Sequence, residues 1–308
     1  MKNMQNKKSI RKRILYAFLT LIILTLGYFS LYEPNYGGLI KKQDKVLVFA
    51  HRGFGNLAPD NSLVAAKLAM QSNMDGVDVD GQFSADNEVV VFHDLSVDRL
   101  TNGTGKVSSK TIAELLKLDL ATKYGKGFEN AYVATLDDFA REITPSGILM
   151  VELKVPSSKD TGIEKRAAEI IKKYNAYENV YLSSFNPLVL YRLKKIDPRI
   201  RTVFIFMDTN WNPELIAEIK KEDLVNLPWF LRNETIRRVI RNIVKPDALS
   251  VNNEVDEETI DALIKKGYPI FLWTIDEESR LEWALNKKPY GIISDEPIIT
   301  KKLRDGKE

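Results

Sequence analysis

The chain of 308 residues contains no cysteine. Disulfides, thiolate nucleophiles and sulfur-based zinc sites are therefore excluded. A chain of this length buries a core without cross-links, so the absence assigns no compartment. Histidine is almost as scarce, with two in the whole sequence. No Gly-x-Gly-x-x-Gly turn follows any apolar run, which removes the phosphate-cradling signature of dinucleotide-binding sheets. Internal repeats and low-complexity segments are missing as well. So is any basic excess in the bulk of the chain. Lys2, Lys7, Lys8, Arg11, Lys12 and Arg13 crowd residues 1–13, leaving 39 basic against 42 acidic residues beyond them. The net charge of +3 comes from this tail, and nothing in the remainder marks a nucleic-acid surface or a protein partner.

Directly after the tail, residues 14–32 run for 19 positions without a charge. That is enough to cross a hydrocarbon layer of about 30 Å as a helix. The basic flank favours a cytoplasmic N-terminus, with everything after Glu33 outside. A cleaved signal peptide has a shorter apolar region, roughly 7–15 residues, and a small-x-small cleavage site, which is missing after Leu26. The expectation is a single-pass signal anchor over 14–32, making the membrane a partner of the N-terminal helix. Residues 33–44, rich in Pro, Gly and charge, read as a linker to an extracytoplasmic domain over 45–308.

From Lys45 onward short β-rich runs alternate with amphipathic stretches. Candidate strands are 45–51, 76–83, 147–154, 180–185, 201–207, 247–252, 269–275 and 291–294, with helical patterns between them. Eight such units predict a parallel (β/α)₈ TIM barrel, and a doubly wound open sheet is the weaker alternative. Residues 84–135 hold an extra strand over 89–93 and a turn-rich stretch at 101–105. They read as a small insertion after strand 2. Residues 208–246 carry Trp211, Trp229, Phe230, Arg232, Arg237, Arg238, Arg241 and Lys245. This segment reads as a lid, a face resting on anionic lipid, or an outer helix with a solvated basic side.

In such a barrel the C-terminal ends of the strands converge on one rim. His51 and Arg52 end strand 1, and Asp78 and Asp80 lie on strand 2. His93 and Asp94 end the insertion strand, Glu152 and Lys154 end strand 3, and Ser184, Asn252 and Trp273 follow on later strands. Residues two apart share a face, so Asp78 joins Asp80 and Glu152 joins Lys154. Three crowded carboxylates repel one another unless they share a proton or bind a cation. Oxygen ligands suit Ca²⁺ or Mg²⁺ better than zinc. Arg52 and Lys154 add positive charge that can grip a phosphate. With two imidazoles nearby, the set points to phosphoryl chemistry with general acid–base help. Any one pair alone reads equally well as a loop cap or a barrel-mouth salt bridge. Their joint placement carries the inference.

At these residues the sequence resembles the glycerophosphodiester phosphodiesterase family. The matching phrases are Ala50-His51-Arg52-Gly53, Ala58-Pro59-Asp60-Asn61-Ser62, Gly76-Val77-Asp78-Val79-Asp80 and Val91-Phe92-His93-Asp94. Thr101-Asn102-Gly103-Thr104-Gly105, Val151-Glu152-Leu153-Lys154, Phe271-Leu272-Trp273-Thr274 and Ser294-Asp295-Glu296-Pro297 follow in order. The resemblance spans residues 45–300 and implies a barrel with an insertion after strand 2. It implies a divalent cation, Ca²⁺ or Mg²⁺, at the positions matching Asp78, Asp80 and Glu152. It also implies His51 and His93 as general acid and base, and Arg52 and Lys154 as phosphate-binding groups. The implied reaction releases sn-glycerol 3-phosphate and an alcohol from a glycerophosphodiester, by one known route through a cyclic phosphate. Asp60, Asn61 and Trp273 match supporting positions.

Two departures stand out. The family pattern has Glu-Asn where this chain has Asp60-Asn61, and Glu-x-Asp where it has Asp78-Val79-Asp80. Each change removes one methylene, about 1.5 Å of reach. Productive site geometry tolerates only around 0.5 Å, so a retuned metal preference is expected. Three further readings stay open: hydrolysis of a larger diester such as a polyglycerol phosphate or lysophospholipid, a non-catalytic phosphodiester-binding barrel, and a phospholipase-type barrel with two histidines.

Overall fold

The computed structural model describes residues 2–32, 36–41, 43–121, 124, 127–128, 131–155, 159–207 and 233–306, with backbone alone for 2–9, 29 and 30. Ten strands are described in chain order. They are β1 (Leu47–Ala50), β2 (Gly76–Phe83), β3 (Val89–Val91), β4 (Ala134–Thr135) and β5 (Ile148–Leu153). β6 (Val180–Ser184), β7 (Arg201–Phe206), β8 (Ala248–Asn252), β9 (Ile270–Trp273) and β10 (Gly291–Ser294) complete the set. β1, β2 and β5 to β10 pair in parallel around a ring, which closes where Leu47 lies beside Gly291 and Phe49 beside Gly76. The expected (β/α)₈ barrel is found, on the strands read from the sequence.

β3 and β4 extend the far end of β2 as an antiparallel pair, with Gly81 beside Val91 and Val90 beside Thr135. Within residues 84–135 they roof a separate apolar cluster that includes Phe92, Leu100, Val107 and Leu115. Helix starts are marked by side-chain caps. Ser62 Oγ accepts from the Ala65 N–H at 3.0 Å, and Asn186 and Asp256 serve the helices Pro187–Ile196 and Glu257–Lys265 in the same way.

Strand alternation decides what faces the lumen. Val77 and Val79 of β2, and Leu149, Val151 and Leu153 of β5, join the core between sheet and helices. Asp78, Asp80, Met150 and Glu152 therefore point the other way. At the N-terminal ends of the strands the lumen is filled by Leu47, Phe49, Met150, Tyr181, Val203, Ala248, Phe271 and Ile293. The carboxylates Asp78, Asp80 and Glu152 lie above this plug, toward the C-terminal ends of the strands.

The stretch expected as a linker also enters this plug. Ile40 is 1% exposed and belongs to the lumen cluster. The Tyr36 N–H donates to the Lys266 carbonyl at 3.0 Å and the Leu39 N–H to Asp247 Oδ1 at 3.0 Å, tying residues 36–40 beneath the barrel.

One sequence expectation finds no support here and another needs correction. Residues 14–32 do fall on a helix, Lys2–Leu31, but among the described residues no helix is long and apolar enough to cross a membrane. Of the segment 208–246, residues 208–232 lie outside the described residues, with Trp211, Trp229, Phe230 and Arg232 among them. The helix Glu234–Val244 does not carry the expected solvated basic side throughout. Arg237 and Arg241 are buried, paired with Glu234 and stacked over Phe206 and Tyr268.

If Ile40 seals the lumen, Ile40→Ala should destabilise the folded chain by about 2–4 kcal/mol. Urea denaturation of the full chain reads this directly, and a loss under about 0.5 kcal/mol would show a surface contact instead.

Candidate active site

The rim is assembled from the ends of β1, β2, β5 and β10 and from the insertion. β2 and β5 run in register with Asp78 beside Met150 and Asp80 beside Glu152. The Lys154 ammonium lies 3.1 Å from Asp80 Oδ1 and 3.7 Å from Glu152 Oε2. Asn61 Nδ2 donates to the second Asp80 oxygen at 3.0 Å, and the Asp80 N–H returns a bond to Asn61 Oδ1 at 2.9 Å. Asn61 holds this pose with φ at 56°, a left-handed conformation that asparagine tolerates better than most residues.

Each histidine is oriented by a carboxylate. His51 Nδ1 sits 2.7 Å from Asp295 Oδ1, just past β10. His93 Nδ1 sits 2.8 Å from Asp94 Oδ1, and Asp94 is itself gripped by Arg99 through Nε at 2.7 Å and Nη2 at 2.9 Å. Arg52 Nη2 lies 3.0 Å from His93 Nε2, while its Nη1 donates to Asp60 Oδ2 at 3.2 Å. An arginine has only donors, so the Nε2 that faces it is an acceptor and His93 carries its proton on Nδ1. Asp60 is further held by the Tyr124 hydroxyl at 2.8 Å, so it orients Arg52.

The two imidazoles are pushed in opposite directions. For His51 burial works to lower the pKa, but the bond and the charge of Asp295 outweigh it, and the net shift is upward. For His93 burial and the Lys154 charge together lower the pKa, against Asp80 and Asp94. The carboxylates divide as well. Burial pushes Asp78 up to about 8, with Asp80 and Glu152 adding repulsion against the relief from His51. Asp80 feels the same burial, yet Lys154, His93 and Arg52 hold it well below the usual carboxylate range. Burial raises Glu152, and Lys154 offsets only part of that. Burial also works against the Lys154 charge, but Asp80 and Glu152 outweigh it and raise its pKa.

A profile of the glycerophosphoryl diester phosphodiesterase family matches residues 51–299. The chain belongs to the glycerophosphoryl diester phosphodiesterase family. A glycerophosphodiester phosphodiesterase from Caldanaerobacter subterraneus is 32% identical over 254 residues, covering 82% of this chain and 95% of that protein. A putative glycerophosphodiester phosphodiesterase from Bacillus subtilis is 29% identical over 260 residues, covering 84% of this chain and 98% of its own length. Among solved structures, an Oleispira antarctica phosphodiesterase in complex with the product sn-glycerol-3-phosphate superposes with a TM-score of 0.66 at 23% identity. It covers 84% of this chain and 96% of its own. A putative glycerophosphoryl diester phosphodiesterase from Silicibacter pomeroyi superposes at 0.70 with 17% identity, over 87% of this chain and 96% of its own. At such identities the structures establish the fold.

Of the positions expected from the family resemblance, His51, Arg52, Asp60, Asn61, Asp78, Asp80, His93, Glu152 and Lys154 form one connected cluster. Trp273 stands apart at the end of β9, edge-on to Phe185 at 5.9 Å, and its indole N–H has no hydrogen-bond partner among the described residues. Among the described residues no group of three or more His, Asp or Glu is arranged to hold a metal ion. Lys154 and Asn61 already engage two of the three carboxylates.

Three members of this phosphodiesterase site were missed in the sequence. Asp295 ends β10 by the same strand-end logic that found His51. Gln82 continues the inward series of Asp78 and Asp80, and its amide donates to the Phe92 and Asp94 carbonyls at 2.8 Å each, fixing the backbone that carries His93. Tyr124 had no signal, because its contact with Asp60 crosses the insertion.

Replacing Asp295 by Asn removes the group that raises the His51 pKa. If His51 works protonated, activity is lost as pH rises through its pKa, so in Asp295→Asn the alkaline limb of kcat/KM should move to lower pH. The maximum should also fall by about 10²-fold. An unchanged alkaline limb in a full pH profile would separate Asp295 from His51 function.

Proposed function

We propose that the chain hydrolyses glycerophosphodiesters to sn-glycerol 3-phosphate and an alcohol, with His93 as general base and His51 as general acid. The observation that carries this reading is the opposed tuning of the two imidazoles around shared cationic groups. His51 is held toward its protonated form by Asp295, and His93 toward its neutral form by burial and Lys154. The relatives' names and the product bound in the Oleispira antarctica structure support the substrate class.

In the proposed step a phosphate draws the Arg52 guanidinium and Lys154. Arg52 then leaves the Nε2 lone pair of His93, which takes a proton from the attacking water. A phosphorus–oxygen bond forms to that oxygen and another breaks toward the leaving alcohol, which receives the Nε2 proton of His51. Asp295 and Asp94, bonded to the Nδ1 atoms, keep both rings aimed.

Asp78, Asp80 and Glu152 are the residues that would hold a Ca²⁺ or Mg²⁺ ion. The fit rests on their chemistry: buried oxygen donors, two of them raised by burial and by neighbouring carboxylates, a repulsion that a hard cation relieves. When bound, such an ion neutralises charge on the phosphate. The exposed apolar side chains of Lys2–Leu31, from Ile14 through Leu24, support a further part of the reading, that this helix holds the barrel at a membrane with the site outside.

The purified full chain, given glycerophosphocholine and a divalent salt, should release glycerol 3-phosphate. His51→Ala and His93→Ala should each lower kcat by about 10²–10⁴-fold. Turnover that survives both changes would sink the mechanism. Chelation should abolish turnover, and Ca²⁺ or Mg²⁺ should restore it. Activity that is indifferent to chelator would remove the ion and leave Lys154 and Arg52 as the phosphate-neutralising groups.

A further inference from the structure

The two imidazoles are supported unequally. Behind His93, Asp94 is gripped by Arg99 through two hydrogen bonds. Behind His51, Asp295 has that ring as its one partner among the described ion pairs. The Asp295 side chain is 29% exposed and stands just past the end of β10, on a loop that packing alone does not fix. A working site tolerates only around 0.5 Å of play. Something other than burial must therefore set where this carboxylate stands.

The backbone of Asp295 supplies that constraint, because both of its polar groups are taken. Its N–H donates to Asp276 Oδ1 at 2.7 Å, from the segment that leaves β9. Its carbonyl accepts from the Asn56 N–H at 3.1 Å, in the turn that follows His51. Gly55 permits this approach: its φ of 57° is left-handed, and a Cβ there would collide with the Asp295 carbonyl. Asp276 Oδ1 has a second task. It accepts from the Ser294 hydroxyl at 3.1 Å, and that hydroxyl oxygen accepts from the Glu296 N–H at 3.0 Å. Ser294 and Thr300 are fully buried with their hydroxyls 3.0 Å apart, which ties the turn to the helix Pro297–Asp305. One carboxylate oxygen thus organises residues 294–296, while no described hydrogen bond or ion pair joins Asp276 to His51 itself.

We propose that Asp276 is a positioning residue for His51, acting through Asp295. The proposal rests on reading His51 as the general acid. Asp276 holds the Asp295 N–H from the β9 side and Asn56 holds its carbonyl from the β1 side. The carboxylate between them is thereby presented to His51 Nδ1, whose proton it accepts at 2.7 Å. Without the Asp276 oxygen, the Asp295 N–H and the Ser294 hydroxyl both lose their acceptor, and the turn is free to shift. A shift of about 1 Å in a site can cost about 10²-fold in rate. What the turn requires is an acceptor oxygen rather than a charge, so asparagine at 276 should serve in its place.

The scarcity of histidine makes the pose visible, because the full chain labelled with ¹⁵N in histidine alone carries two imidazoles. His51→Ala assigns their Nδ1–H signals. In Asp276→Ala the His51 signal should move upfield or vanish while the His93 signal stays. In the same variant kcat for glycerophosphocholine should fall by about 10–100-fold with KM little changed. Asp276→Asn should keep the His51 signal and most of kcat. Should alanine at 276 prevent folding, Gly55→Ala takes its place, since it displaces Asp295 from the opposite side and leaves Asp276 intact. An unmoved His51 signal in the alanine variant overturns the proposal, and so does an Asp276→Asn protein that loses the signal or the turnover as alanine does. A displaced signal with unchanged kcat upholds the contact chain and removes His51 as the acid, which strikes the proposed reaction instead. If the unmutated chain turns over no diester, the reaction falls and the signals still decide the role of Asp276.

Discussion

Lys154 sits between Asp80 and Glu152 where almost no solvent reaches, with side-chain exposures of 6%, 9% and 14%. Charges so placed persist only when they are paired, and removing one partner of such a pair costs about 3–5 kcal/mol. The rest of the rim follows from this contact. Asp80 is held ionised by Lys154, so it can accept from Asn61, and Asn61 fixes the turn that carries Asp60. Asp60 in turn aims Arg52. The carboxylates Asp78, Asp80 and Glu152 still outnumber the cations Arg52 and Lys154. Asp78 carries the surplus, with its pKa pushed to about 8. A site that strains to hold one more negative charge is also suited to receive a cation.

The same charges separate the histidines. His51 lies on the Asp78 and Asp295 side, where negative charge favours its proton. His93 lies on the Lys154 and Arg52 side, and burial with the Lys154 charge outweighs Asp80 and Asp94 there. Identical side chains thus gain opposite roles from position alone. The arrangement also explains the resting contact between Arg52 and His93. A neutral imidazole offers an acceptor, and the guanidinium takes it.

Much of this was legible because a closed barrel turns every second strand residue inward. Val77-Asp78-Val79-Asp80 and Val151-Glu152-Leu153-Lys154 divide in this way, their apolar members toward the helices and their charged members toward the rim. Asp295 was harder, since its contact with His51 spans 244 residues and depends on where the ring closes. The basic run at 232–245 misled for a different reason. Arg237 and Arg241 are three and seven residues after Glu234, so one carboxylate pairs with both while Phe206 and Tyr268 cover their faces. Ile40 was hidden by composition. Its neighbours Gly37, Gly38 and Lys41 read as a linker, and the short apolar step Leu39-Ile40 among them gives no periodicity to detect.

Ile40 also clarifies how the two ends of the barrel divide their work. The N-terminal ends of the strands are filled by aromatic and aliphatic side chains, with Phe49, Tyr181, Phe271 and Tyr290 meeting edge to face. Such packing tolerates no water, so the buried charges above it rest on a dry, rigid floor. Burial is the largest influence on the pKa of Asp78, Glu152 and His93 alike. A tether that reaches this floor from outside lies beneath the site it supports. Ile40, from the segment before β1, thus completes the apolar layer on which the charged rim stands.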